Sequence, residues 1–334
     1  ERTWTCCGHR SSETEMRVVI LSARTGWHTD ELVRALTARE HLTAVLPYEG
    51  LIARVSVEAG LPRPGQSRGQ ARLDASLTSE QISILDADAV LARIIPGGSL
   101  EQVIHRVDAL HWIENRGVRV VNSPRAIERS VDKFYTTTLL HDAGLLVPET
   151  VVCERVEDAM AAVRTMGDVV IKPIFGSLGH GMVRVSDPDT ALRVIRALDQ
   201  IRSVFYVQRA IDHGGRDLRV FVVGGRVLGT IERRAPAGEW RTNVAIGGSA
   251  TAVDVPPEVE EVALRAAAAV GADYAGVDVL PARDGSLYVL EVNGIPGWQG
   301  LQQATGLDVA SAIVSHLERD LRAGSQPSQE SMPA

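Results

Sequence analysis

Cysteine is scarce in this 334-residue chain: Cys6, Cys7 and Cys153 are its only three. They provide neither a disulfide framework nor the paired spacing of a zinc site, so a reducing, cytoplasmic setting is expected. Aromatic residues make up only 4%, and no apolar run approaches the ~18 residues needed to span a bilayer, so no membrane association is expected. The net charge of −7 is spread along the chain. Without a basic stripe, a nucleic-acid partner is not expected either. The turn after the first strand-like run, Arg17–Leu21, is Ser22-Ala-Arg-Thr-Gly26. A dinucleotide-binding fold would carry Gly-x-Gly-x-x-Gly there, which argues against a dehydrogenase. No Gly-Lys-Ser/Thr opens a helix, so a Walker loop is absent, and no internal repeats occur.

The length implies two or three domains. Residues 1–15 are polar, lack the apolar core of an export signal and read as a disordered extension. From 16 to 124, strand and helix patterns alternate: Val18–Leu21, Asp30–Glu40, Leu42–Leu46, Ala89–Ile94, Leu100–Asn115 and Val118–Val121. This is the signature of a small parallel α/β domain, with Gly60–Gln70 as an interrupting loop. Residues 125–206 read as a compact α+β lobe that opens with a helix from Ser123-Pro124 and a second from Val131 to Ala143, stopped at Gly144. Residues 207–322 read as a second lobe, with strands at Leu218–Val223, Arg226–Arg234, Ala252–Val253, Gly276–Leu280 and Leu287–Val292 and helices at Glu258–Val270 and Val309–Leu321. Residues 323–334, rich in Ser, Gln and Pro, read as a disordered tail. The fold class is α/β with α+β lobes.

The segment from Ala275 to Asn293 reads as a hairpin. A two-residue turn at Asp284-Gly285 places Arg283 opposite Ser286, and that register carries back to Asp278 opposite Glu291. Asn293 shares the face of Glu291, while Val277 with Val292 and Val279 with Leu290 form apolar pairs on the other face. The competing interpretation is a solvated acidic face. Opposed carboxylates repel unless a cation lies between them, and an all-oxygen set of Asp278, Glu291 and Asn293 suits Mg²⁺ held together with substrate phosphates.

Other residues fit a nucleotide site. Val169-Val-Ile-Lys172 is a buried-type strand ending in a lysine, followed by the glycine-rich turn Gly176-Ser177-Leu-Gly179-His-Gly181, whose amides can approach an anion. His180 reads as a loop residue. Phe205–Ile211, with Gln208, Arg209 and Ala210, leads towards Gly214-Gly215 as a hinge. Alternation puts Asp217 and Arg219 on one strand face. Glu232-Arg-Arg234 and Arg241-Thr-Asn243 concentrate guanidinium groups that match carboxylate or phosphate bidentately.

Taken in order, Lys133, Ile171-Lys-Pro173, the Gly176–Gly181 loop, Gln208-Arg-Ala-Ile211, Asp217-Leu-Arg219, Glu232-Arg-Arg-Ala235, Arg241-Thr-Asn243, Gly276-Val-Asp278 and Glu291-Val-Asn293 resemble the ATP-grasp ligases. Within them the chain is similar to the RimK-type α-L-glutamate ligases over roughly Met16 to Leu321. The resemblance implies a three-domain ATP-grasp architecture, with ATP between the middle and last domains. It implies that Lys133 and Lys172 contact nucleotide phosphates under the Gly176, Ser177, Gly179 and Gly181 cover. The backbone at Arg209-Ala210, next to Gln208, would meet the adenine, and Asp217 the ribose side. Asp278, Glu291 and Asn293 would hold two Mg²⁺ ions, replaceable by Mn²⁺, and Arg219, Arg241 and Asn243 would serve the reacting phosphate or acceptor carboxylate. Relatives of this kind are often homo-oligomers.

The implied reaction joins L-glutamate to an acceptor carboxylate. The γ-phosphoryl of ATP activates that carboxylate as an acyl phosphate, and an amine then displaces phosphate, with cations offsetting the developing charge. After Asn293 the chain departs from the common continuation of a small residue, Ser and Pro. Its Gly294-Ile-Pro-Gly-Trp298-Gln-Gly-Leu-Gln302 run resembles the branch acting on tetrahydromethanopterin-type pterins, with Trp298 either stacking on the acceptor or simply packing. The alternatives are a ribosomal-protein, peptide or amino-group-carrier-protein C-terminus as acceptor, and a nucleotide-binding regulator that has lost catalysis.

Overall fold

The computed structural model describes residues 15–58, 72–176, 181–243 and 247–324. The expected extension and tail, apart from Glu15, Ala323 and Gly324, and the whole of the expected Gly60–Gln70 loop lie outside these residues. The chain divides into two compact units, one comprising residues up to Pro124 together with Val314 onward, the other Arg125–Ile313. No helix among the described residues is long and apolar enough to cross a membrane.

The first unit is built on β1 (Arg17–Leu21), α1 (Trp27–Thr37), β2 (Leu42–Leu46), β3 (Ile52–Glu58), β4 (Arg72–Ser79), β5 (Ile82–Ser83), β6 (Ala89–Ala92), α2 (Leu100–Asn115) and β7 (Arg119–Val121). Strands β2-β1-β6-β7 form the expected parallel sheet. Val18–Leu21 are fully buried, as an uninterrupted apolar run in a sheet covered on both faces requires. Helix α2 has the expected span and opens with a capping box, in which Ser99 Oγ accepts from the Gln102 amide and Gln102 Oε1 accepts from that of Ser99. Helix α1 starts at Trp27, ahead of the expected Asp30. Thr29 Oγ1 accepts from the Gly26 amide at 2.8 Å and closes the first turn from inside. The region around the expected loop differs more: β3, β4 and β5 make a separate antiparallel sheet.

The second unit carries α3 (Pro124–Val131), α4 (Lys133–Asp142), β8 (Thr150–Cys153), α5 (Val156–Met166), β9 (Val169–Lys172), β10 (Val183–Val185), α6 (Pro188–Gln200) and β11 (Phe205–Arg209), then β12 (Arg216–Val223), β13 (Arg226–Arg234), β14 (Ser249–Ala252), α7 (Pro257–Val270), β15 (Tyr274–Pro281), β16 (Leu287–Asn293), α8 (Gln299–Thr305) and the start of α9 (Val309–Gly324). Asp132 separates α3 from α4 by capping the Tyr135 amide at 3.0 Å, so α4 begins at Lys133 and not at the expected Val131. One antiparallel sheet runs β10-β9-β11-β8 and packs on α5 and α6 through Val169, Ile171, Val207, Val163 and Ile195. The other runs β14-β13-β12-β15-β16. Its apolar face, with Leu218, Val220, Val277, Val279 and Val292, packs against Val259, Ala263, Ala266 and Val270, a stripe at helical spacing along α7. That face fixes which side chains point the other way, and these are the charged ones.

The β15–β16 register carries a correction. Asp278 does stand opposite Glu291 and Val277 opposite Val292, but Val279 faces Val289, not Leu290. The Ala282 amide donates to Ser286 O and Gly285 to Ala282 O, with Gly285 at φ 89°. The loop is therefore three residues, Arg283–Gly285, and its last position needs the left-handed backbone that glycine supplies. A bulge between Asp278 and Val279 takes up Leu290 as the extra residue. It restores the register that the longer turn had displaced.

Candidate functional site

A row of charge crosses the five-stranded sheet. On β13 Arg233 stands opposite Asp217 of β12, on β12 Arg219 stands opposite Asp278 of β15, and Asp278 in turn faces Glu291 of β16. Arg233 Nε donates to Asp217 Oδ1 at 2.8 Å, and its Nη2 reaches Asp217 Oδ2 and, at 3.0 Å, Asp278 Oδ2. Arg219 grips the same Asp278 with both arms of its fork, Nε to Oδ1 and Nη2 to Oδ2, each at 2.7 Å. Burial by itself would raise the Asp278 carboxyl, but the two guanidinium groups outweigh it and hold it down to about 2. Burial likewise opposes the charge on Arg233, yet Asp278 and Asp217 push its pKa above the ordinary arginine value. Asp217 is buried, so the strand face that it shares with Arg219 is not a solvated one.

Two lysines bring positive charge towards Glu291, Lys172 from the other sheet and Lys133 from α4. Lys172, the last residue of β9, donates to Gln208 Oε1 at 2.6 Å and lies 5.9 Å from the centre of the Tyr206 ring. Burial lowers its pKa to about 8, with Lys133 lowering it further and Glu291 and Asp278 pulling it back up. Lys133, at the start of α4, donates to the carbonyls of Gly176 at 2.8 Å and Ile174 at 3.3 Å. Burial lowers its pKa as well, against Glu291 and Asp132. Tyr206, which no motif singles out, organises this corner. Its hydroxyl accepts from Gln208 Nε2 at 3.0 Å and shares a 2.8 Å hydrogen bond with Thr137 Oγ1, while Gln208 Nε2 also donates to Thr150 Oγ1.

Other expected residues stand differently. Arg241 donates to Glu239 Oε2 at 2.7 Å, and the amides of Trp240 and Arg241 add bonds to Glu239 Oε1. The Arg241 guanidinium and those amides pull the Glu239 carboxyl down to about 2. Glu239 is thus a partner that the sequence pattern concealed. Asn243 holds its loop by accepting the Gly248 amide on its backbone carbonyl at 3.2 Å. The Arg209 and Ala210 amides are engaged by Glu149 O and Asp168 O. Gly176 and Gly181 each approach Pro173 closely, whereas Ser177, Gly179 and His180 lie outside the described residues. The stacking role considered for Trp298 does not survive. It is 1% exposed, packed edge-on to Phe221 with ring centres 6.4 Å apart.

The remaining donor set fits a hard cation with phosphate. Among the described residues no cluster of three or more His, Cys, Asp or Glu occurs, so a cation here draws on Asp278, Glu291 and the amide of Asn293. That matches a site completed by substrate phosphates. Asp278 retains a lone pair beyond those used by the arginines. Asn293 Oδ1 already accepts the Ile295 amide at 3.0 Å, which orients it. Two lysines destabilised as cations by burial, beside two opposed carboxylates, form a place where a polyanion and a divalent cation neutralise each other.

Comparison with known proteins agrees with this chemistry. The RimK-like ATP-grasp domain matches residues 130–317. Over 268 residues the chain is 38% identical to the tetrahydromethanopterin:alpha-L-glutamate ligase of Methanosarcina acetivorans, covering 72% of this chain and 83% of that protein. It is 34% identical over 308 residues to a probable alpha-L-glutamate ligase of Pseudoalteromonas translucida, covering 91% and 96% respectively. Among solved structures, the ATP-grasp ligase PsnB complexed with minimal precursor, Mg and ADP has a TM-score of 0.67 at 22% identity over 96% of this chain and 100% of that one, a likeness of fold.

Proposed function

The chain belongs to the RimK-like ATP-grasp family and is a ligase, and from that premise we propose that it joins L-glutamate to an acceptor carboxylate with ATP cleaved to ADP and phosphate. The observation that carries this reading is that Glu291 acts on both Lys133 and Lys172, with Asp278 acting on Lys172 as well. When bound, Mg²⁺–ATP supplies the phosphoryl group that turns the acceptor carboxylate into an acyl phosphate. Asp278, Glu291 and Asn293 would hold the metal, as one ion or two. Lys172, kept in place by Gln208 and Tyr206, positions the phosphates, and Lys133 ties the start of the glycine-rich turn to α4 through its carbonyls. Arg219, Arg241 and Asn243 are assigned to the acceptor and its developing negative charge. Asp217 acts through Arg233 and not by direct contact.

For the acceptor we favour the side-chain carboxylate of a tetrahydromethanopterin-type pterin. The methanogen relative's activity and the Pro296-Gly-Trp-Gln-Gly-Leu-Gln302 run support this choice. Burial of Trp298 leaves no aromatic platform there, which favours a peptide or carrier-protein C-terminus as the second reading. A catalytically silent regulator would lack a lysine or a metal ligand, and neither is missing. Purified protein given ATP, Mg²⁺, glutamate and a panel of pterin, peptide and carrier acceptors should add a glutamyl unit to one class alone. Substitution Asp278→Asn should stop ADP release; unchanged release from that variant, or AMP as product, would contradict the reading.

A further inference from the structure

The two arginines on Asp278 are held in different ways. Arg233 is anchored: its side chain is 5% exposed, and it also satisfies the equally buried Asp217. If it left, Asp217 would be stranded as an unpaired buried charge, which is strongly disfavoured. Arg219 is 19% exposed and spends its fork on Asp278 alone. Its stem lies over Gly276. A Cβ there would sit 3.6 Å from both Cδ and Nε of Arg219 and 3.3 Å from Pro296 Cβ.

Asp278 and Glu291 are directly opposed, and like charges so placed need a cation. Arg219 provides one. Its fork and the Arg233 Nη2 together use most of the acceptor capacity of the Asp278 carboxylate. One acceptor position stays open to a metal ion, and an ion that draws on more of the carboxylate than that competes with the arginines; the cheaper of the two guanidinium groups to move is the one without a second buried partner.

We propose that Arg219 is an exchangeable counter-ion. It neutralises Asp278 in the metal-free protein and is released towards the acceptor carboxylate when a divalent cation takes its place on Asp278, while Arg233 and Asp217 hold that carboxylate still. The inference rests on the metal assignment of the proposed function. It adds an order of events: the site for the acceptor anion gains its arginine only after the metal has bound. Arg233 is then a positioning residue, and its loss weakens the metal site by letting Asp278 drift.

The test is Mn²⁺ binding to the nucleotide-free full chain, read from the free-ion EPR signal. Substitution Arg219→Met removes the competitor and leaves the two carboxylates short of a cation, so Mn²⁺ should bind roughly tenfold tighter than to the wild type, as expected when charge-assisted hydrogen bonds no longer compete. Arg233→Met should bind it more weakly, and Asp278→Asn should abolish binding in both the wild-type and Arg219→Met backgrounds. Equal or weaker Mn²⁺ binding by Arg219→Met, with Asp278→Asn still abolishing it, overturns the exchange alone. Binding indifferent to Asp278→Asn overturns both the exchange and the metal assignment. A second measurement needs no variant: phenylglyoxal labelling of wild-type protein, mapped by peptide mass spectrometry, should speed up at Arg219 on adding Mn²⁺ and stay slow at Arg233. No acceleration at Arg219 overturns the proposal.

Discussion

Replacing Arg233 by methionine is the sharpest test of the charge row as a structural device. The guanidinium is buried between Asp217 and Asp278, and methionine fills similar space without charge. Asp278 would keep the fork of Arg219, but Asp217 would lose both arms of its ion-pair partner. Removing one partner of a buried pair costs about 3–5 kcal/mol, because the other charge remains desolvated. Arg219→Met leaves Asp278 paired with Arg233 and opens a more exposed position, so it should cost about 1.5 kcal/mol, the lower end for a hydrogen bond to a charged group. Asp217→Asn in the Arg233→Met background removes the stranded charge, so the double variant should be more stable than the sum of the single effects by about 2 kcal/mol or more. Urea unfolding at pH 7, followed by signals from the second unit, gives all four corners of the cycle. Effects that add within about 0.5 kcal/mol would refute the coupling, and so would an Arg233→Met cost no larger than that of Arg219→Met.

Other outcomes follow from the same geometry. Lys172 has a folded pKa near 8 against 10.5 for the free side chain. The phosphate contact proposed for it would be complete well below pH 8 and lost as pH rises through 8, so the calorimetric Kd for ADP should climb across that range with proton uptake on binding. The sign for folding is opposite: burial of the cation penalises the native state below pH 8, and stability should gain as pH rises from 8 towards 10.5. A Kd flat between pH 7 and 9.5 would remove Lys172 from the phosphate site. In Gly248→Ala the new Cβ would meet the Thr242 carbonyl oxygen at 2.4 Å. The loop bearing Arg241 and Asn243 must then shift, and ADP release should fall at least tenfold while the circular dichroism spectrum stays unchanged. Trp298→Ala should lower stability by about 3–5 kcal/mol as a core truncation. Trp298→Phe should leave the acceptor KM unchanged, which a stacking role would not allow.

The sequence was most legible where a pattern is local. The apolar runs of β1 and β9 announce their elements directly. Irregularities at a distance were hidden. The Asp278–Glu291 pair was expected from a two-residue turn, yet it arises from a three-residue turn corrected by a bulge. Arg233 escaped for a related reason. A two-residue turn at Gly224-Gly225 would set Asp217 opposite Glu232, two like charges. The irregularity between Phe221 and Val222 moves the register by one residue and brings Arg233 opposite instead. A charge complement to Asp217 within the Glu232-Arg-Arg234 run was the available signal. Trp298 depended on tertiary packing, since nothing adjacent in sequence shows that Phe221 covers the ring, whereas Glu239 lies two residues from Arg241 and was hidden because a loop has no periodic pattern to show that the two side chains meet. The β3–β4 ribbon was missed because its strands carry exposed Ile52 and Val55 and do not alternate cleanly against a core.

The most direct test of the central claim is a paired assay on the full chain with ATP and Mg²⁺, measuring ADP by coupled absorbance and acceptor mass by spectrometry in the same reaction. The account predicts one ADP per glutamyl unit added, ADP release that needs both glutamate and acceptor, and loss of both signals in Asp278→Asn. ADP released without acceptor, or a glutamylated acceptor formed by Asp278→Asn, would contradict it.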